Sequence, residues 1–185
     1  MGYLYLLSGS DKARATAIPP RSPPQTNFNN VVFELPDNIS SGTSSVTLYH
    51  TTHTNFNTKI INITGKTKEY FMLENIGHEG YQTGLDKSIG GNDNTSGIAI
   101  WHIDDNQSGN NDYNHKLVDL EEAAEAGLDA GTHSGHQLNL YFSGNKTEFS
   151  DSTDPNSKTY SGTSSGITIN NISAAGDSMT FDVTF

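Results

Sequence analysis

The chain has no cysteine in its 185 residues. Disulfides and a thiol nucleophile are thereby excluded, and cysteine usage leaves no mark of a redox compartment. Basic residues are scarce as well: 10 Lys and Arg face 21 Asp and Glu, a formal charge of -11. Such a surface repels phosphate backbones and anionic headgroups, which sets aside nucleic acid and membranes as partners. Long apolar runs are missing too. The patch from Tyr3 to Leu7 has no basic residue before it and is too short for a signal-peptide core or a membrane span. No export signal is visible, so a secreted form requires one upstream of Met1 or already removed.

Catalytic signatures are equally thin. His78 and Glu79 begin a zinc-protease motif, but Gln82 stands where its second histidine belongs. His50 with His53, and His133 with His136, are spaced i, i+3, which on a strand points them to opposite faces and reads as polar surface. Nothing reads as an independent hydrolase.

What is present is a β pattern. Asn, Thr, Ser and Gly dominate around short β-branched and aromatic runs, at 32% hydrophobic residues overall. Four prolines, Pro19, Pro20, Pro23 and Pro24, mark residues 1–27 as a linker or disordered tail ahead of a β-rich domain over 28–185. Strands are expected at 31–35, 46–50, 59–63, 69–75, 97–104, 116–121, 137–142, 166–172 and 178–185. The fold class is all-β, an antiparallel sandwich or barrel-like domain with at most one short helix, at 120–130 where LEEAAEAGLDA has helical propensity. No feature calls for oligomerisation, and a monomer is expected.

The stretch 97–104, GIAIWHID, is apolar on both faces and reads as a central strand. Its apolar neighbours predict burial of Trp101, the one tryptophan. His102 enters the core edge, where it needs a carbonyl or carboxylate partner, and Glu74, near the end of 69–75, is a candidate for that partner. The loop that follows places Asp104, Asn106, Ser108 and Asp112 at positions 1, 3, 5 and 9 of an EF-hand-like calcium loop, with Gly109 at position 6. Position 12 is His115, so Glu121 or Glu122 would have to complete the shell. Ordinary turn chemistry produces Asp- and Asn-rich loops too, and both readings stay open.

Taken in order, EYFMLEN (69–75), GYQTGLD (80–86), GIAIWHIDD (97–105), HKLVDLEEA (115–123), FSDSTDPNS (149–157) and SGITINNIS with MTFDV (165–183) resemble a segment of the secreted bacterial metalloproteases of the immune inhibitor A type. The resemblance covers residues 69–185, and 30–63 look like the β-rich stretch leading into it. Ile76-Gly77 replaces the family's usual Arg-Gln, and LDKSIGGNDNTSG a compact Leu-Pro-Gly turn. The resemblance implies a region C-terminal to the zinc-binding helix, with zinc only in that missing catalytic portion, which would be the partner. It implies secretion, and no catalytic residue in this chain. Glu74, Asn75, Trp101, His102, Asp104 and Asp119 fall on the family's recurrent motif positions. Two readings compete: a non-catalytic fragment scaffolding a catalytic domain and binding calcium, and a free-standing module for carbohydrate or another surface ligand, stacking on Trp101 or tyrosines.

Overall fold

The computed structural model describes residues 36–50, 53, 57–77, 96–124, 127–128 and 137–185. The Pro-rich tail, the strand expected at 31–35, His78-Glu79 and the His133–His136 pair lie outside them.

Among the described residues, eight strands form two sheets. The larger runs β1 (Asp37–Ile39), β3 (Lys59–Asn62), β4 (Glu69–Ile76), β5 (Gly97–Asp104) and β6 (Val118–Leu120) in spatial order, and the smaller runs β2 (Thr43–Tyr49), β8 (Ser178–Thr184) and β7 (Thr168–Asn170). Every pairing is antiparallel except β1 with β3. The all-β sandwich expected from composition is what forms. No helix among the described residues is long and apolar enough to cross a membrane.

Alternation sets the sheets' orientation. In β8, Met179, Phe181 and Val183 are buried while their neighbours face outward, so one side of the smaller sheet meets the core. β4 and β5 are buried along almost their whole length, as central strands must be. Their register pairs Glu69 with Asp104, Phe71 with His102, Met72 with Trp101 and Glu74 with Ala99. The core between the sheets takes Ile61, Phe71, Leu73, Ile98 and Ile100 from one side and Leu48, Ile169, Met179 and Phe181 from the other. Each such side chain contributes roughly 1.5–3 kcal/mol by leaving water. Phe149 meets Phe71 edge to face at 5.2 Å and Tyr141 at 6.0 Å.

Asn75 joins the two layers. Fully buried on β4, it donates through Nδ2 to the carbonyls of Gly176, at 2.9 Å, and Leu48, at 3.4 Å, both in the smaller-sheet half.

Two expectations need correcting. Residues 137–142 do not form a strand: Gln137–Asn139 is a short 3-10 helix, and only Tyr141 bridges to Ile98. Gly97 makes that approach possible, because a Cβ there would stand 2.7 Å from the Leu140 Cβ. In the stretch read as helical, Leu120 ends β6 and Glu121 to Ala124 are not helical; their backbone leaves the sheet to bond Ile100 and the 137–139 turn. β1 is also an addition. Its pattern is too short to signal a strand, and its pairing is parallel to β3.

Candidate functional site

His102 lies on the core-facing side of β5, 3% exposed, and both its ring nitrogens meet carboxylates. Nε2 is 3.1 Å from Glu69 Oε1, and Nδ1 is 3.0 Å from Glu121 Oε1. Two acceptors facing two ring nitrogens are satisfied when each nitrogen carries a proton, or when one carboxyl carries it instead. Glu69, itself buried, also accepts the Tyr160 N–H at 2.7 Å and has Lys66 Nζ at 3.9 Å.

The Tyr160 ring stacks on His102 at 4.3 Å, and His115 covers its other side at 4.3 Å. His115 Nε2 in turn sits 2.7 Å from Asp104 Oδ2. Burial and then the charges of Asp119 and Glu121 push the Tyr160 hydroxyl's pKa up, so it stays protonated. The result is a polar column running from Glu69 and Glu121 through His102, Tyr160 and His115 to Asp104.

Glu74 is not the partner of His102. Register puts it on the opposite face, where its Oε1 accepts the Trp101 indole N–H at 3.0 Å. Burial pushes the Glu74 carboxyl up, and that single indole bond offsets the effect only in part. Trp101 is half-buried on the outer face of the larger sheet instead of enclosed, packed with Met72 and Leu120. Asp119 accepts Lys116 Nζ at 2.7 Å.

Two of the expected calcium ligands, Asp104 and Asp112, accept hydrogen bonds from groups two residues on. Asp104 is buried, with Oδ1 accepting the backbone N–H of Asn106 at 2.9 Å and its side-chain amide at 2.7 Å, while Oδ2 faces His115. Desolvation raises its pKa, but those bonds and the His115 charge outweigh it and hold the carboxyl below its usual value. Asp112 accepts the Asn114 N–H at 2.9 Å, and Asn106, Ser108 and Asp112 are exposed. Glu121 points to His102, and Glu122 Oε2 accepts from Gly127 N, Leu128 N and Asn139 Nδ2. Among the described residues no three His, Asp or Glu side chains converge to hold an ion.

Sequence reasoning missed three things. Glu69 is the larger, since it closes the column; the parity of β4 against β5 was the signal for it. Second, Gly162-Thr163-Ser164-Ser165-Gly166 spells the Gly-x-Ser-x-Gly elbow of serine hydrolases. It is not an elbow here, because the stretch leads into β7 with no helix after it, and Ser164 Oγ donates to Asp151. Third, Asp151 is a hub that accepts from Ser157 Oγ at 3.0 Å and Ser165 N at 3.1 Å, besides Ser164 and Gly166 N. A small open cleft of about 180 Å³ lies beside Glu121, walled by Asp119, Glu122, Lys146 and Pro155. Lys146 is turned to the Asp154 carbonyl.

No family model matches the chain, and no curated protein or solved structure does.

Proposed function

We propose that this chain is a non-catalytic β-sandwich domain of a secreted zinc metallopeptidase of the immune inhibitor A type, bracing a catalytic domain encoded upstream. The observation that carries the reading is the use the fold makes of the residues that carry the resemblance. Asn75 ties the sheets together, Glu74 receives Trp101, His102 is gripped by two carboxylates, Asp104 holds His115 and Asp119 holds Lys116. These are cross-strand and loop-anchoring contacts, as a scaffold requires. Zinc, in this reading, belongs to the upstream portion.

The outer face of the larger sheet supports the same reading. Ile60, Met72, Trp101, Leu117 and Leu120 are half-buried there around buried Tyr70, Ile103 and Val118. A sheet apolar on both sides suits a layer inside a larger assembly. The alternative, a module for carbohydrate or another surface ligand, rests on Tyr113, 72% exposed on the β5–β6 loop, because the Trp101 indole N–H is already committed to Glu74.

Casein hydrolysis with added zinc tests the proposal, using this chain alone and co-expressed with the reading frame immediately upstream. The chain alone is inactive, the pair is active, and Trp101→Lys or Met72→Lys weakens co-purification of the two. Absence of a His-Glu-x-x-His sequence upstream, or hydrolysis by the purified chain that survives two columns, overturns it.

A further inference from the structure

Lys116 is the one buried lysine among the described residues. Its Nζ lies 2.7 Å from Asp119 Oδ1, and both side chains are mostly out of water, at 10% and 17% exposed. Lys59 with Asp37 shows the ordinary surface form of such a pair: the distance is 2.6 Å, but Asp37 is 67% exposed. Enclosing an ammonium and a carboxylate together opposes both charges, and favours the form in which the proton has passed from nitrogen to oxygen. An uncharged amine held against an uncharged carboxyl is a nucleophile against its electrophile.

Strand pairing brings further groups to the same place. Asp119 pairs directly with His102, so the two side chains leave β6 and β5 on the same, core-facing side. Glu121, two residues on, shares that side and stands 3.0 Å from His102 Nδ1. Tyr160 stacks on His102, and its enclosed hydroxyl stands in the field of Asp119 and Glu121. A bend at Leu117 turns Lys116 back over Asp119. An amine, a carboxyl, a second carboxyl on the same strand face and an aromatic wall are therefore assembled by the fold itself.

We propose that Lys116 and Asp119 are joined by an intramolecular isopeptide bond, closed once the chain has folded. Nζ attacks the Asp119 carboxyl carbon, one bond beyond the oxygen that it already touches. The N–C bond forms, one C–O bond breaks, and the hydroxyl leaves with an amine proton as water; neither oxidant nor reductant is needed. Glu121 takes the proton from nitrogen and hands it to the departing oxygen, ending as it began. Holding the two groups in contact turns a condensation that water opposes into a unimolecular step. The bond is a property of this chain alone, whatever catalytic domain it serves.

Intact mass spectrometry of the purified, denatured chain tests this. The wild-type mass falls short of the sequence by one water, and trypsin fails to cut after Lys116, whose amine is acylated. Tandem spectra of the resulting peptide place the lost water between Lys116 and Asp119. Lys116→Arg and Asp119→Ala recover the full mass of their sequences, and a folded Glu121→Gln chain recovers it in most molecules. A wild-type mass equal to that of the sequence overturns the proposal, and this readout needs no variant to fold. A missing water that persists in Lys116→Arg overturns it too, because dehydration of an aspartate onto its own backbone does not involve the lysine. A Glu121→Gln chain as fully closed as wild type overturns the part given to Glu121.

Discussion

His102 lies flat against Tyr160, with ring centroids 4.3 Å apart and planes 14° from parallel. Through that stack, and through the Tyr160 N–H on Glu69, the centre of the larger sheet holds the loop that leads into β7. The chemistry is that of a clamp: both ring nitrogens of His102 and the Tyr160 N–H meet carboxylate oxygens, and each match is lost if one partner is removed.

Glu69→Ala therefore costs more than a surface carboxylate does. It leaves a buried imidazole facing empty space and the Tyr160 N–H without its acceptor, and breaking a buried pair from one side costs about 3–5 kcal/mol. Urea denaturation at neutral pH reads this, and a loss below 1 kcal/mol would show that water replaces the carboxylate.

Acid should loosen the loop over 157–166. Desolvation pushes the Asp151 carboxyl up, but the bonds from Ser164, Ser165 N, Ser157 and Gly166 N together outweigh it and hold its pKa low. A pKa lower in the folded state than in the unfolded one contributes stability above the unfolded value, about 3.9, and loses it as pH falls toward the folded value. Asp104 acts in the same direction. Melting temperature measured from pH 6 down to pH 3 should fall in the wild type and fall less steeply in Asp151→Asn, which starts lower by about 1–3 kcal/mol through its mismatched amide.

Glu74 has the opposite sign. Burial raises its pKa in the folded state, so its ionised form opposes folding: the group's contribution is favourable at low pH and is lost as pH rises past the ordinary carboxylate value. Glu74→Gln keeps an oxygen for the Trp101 indole and removes the charge. The variant should melt a few degrees above wild type at pH 7, at about 2–4 °C per kcal/mol for a chain this size, and the gap should narrow at pH 4.

The calcium expectation is decided by melting curves. With one Asp104 oxygen taken by Asn106 and the other by His115, an ion has to displace contacts already formed. Superimposable curves in millimolar calcium and in EDTA are the result this geometry gives. A calcium-dependent rise of roughly 5–10 °C, the size that mass action gives at a hundredfold excess over Kd, would restore the loop as an ion site.

Strand positions were largely legible because period-two alternation and β-branched runs are local properties. GIAIWHID is β5 residue for residue, and β4 extends the 69–75 run by one residue. What was not legible depended on pairing. His102 needed a carboxylate, but choosing between Glu69 and Glu74 required the register of two strands more than twenty residues apart, and a one-residue difference changes the face. Residues 137–142 have a strand's composition but only one bridge to offer, since β6 already occupies the side of β5 at Trp101 to Ile103. The Asp104 loop shows how an alternation of oxygen-bearing residues serves turns as well as ions: Asp104 and Asp112 each accept the N–H two residues on.

Asn75 is the position at which a change of one side-chain atom would part the two layers. Its Nδ2 is the donor that two carbonyls on the facing half require. Slow hydrolysis of that amide, to which asparagine is prone on heating, would put an oxygen where the N–H stood, against the oxygens of Gly176 and Leu48. A donor would become an acceptor facing two carbonyl acceptors at the seam between the layers, without any change in the apolar core. Burial that keeps water and backbone attack away from Asn75 therefore protects more than one hydrogen bond. A preparation in which Asn75 had been hydrolysed should separate its sheets before its core residues are altered, so that single amide would act on this fold as a mutation does.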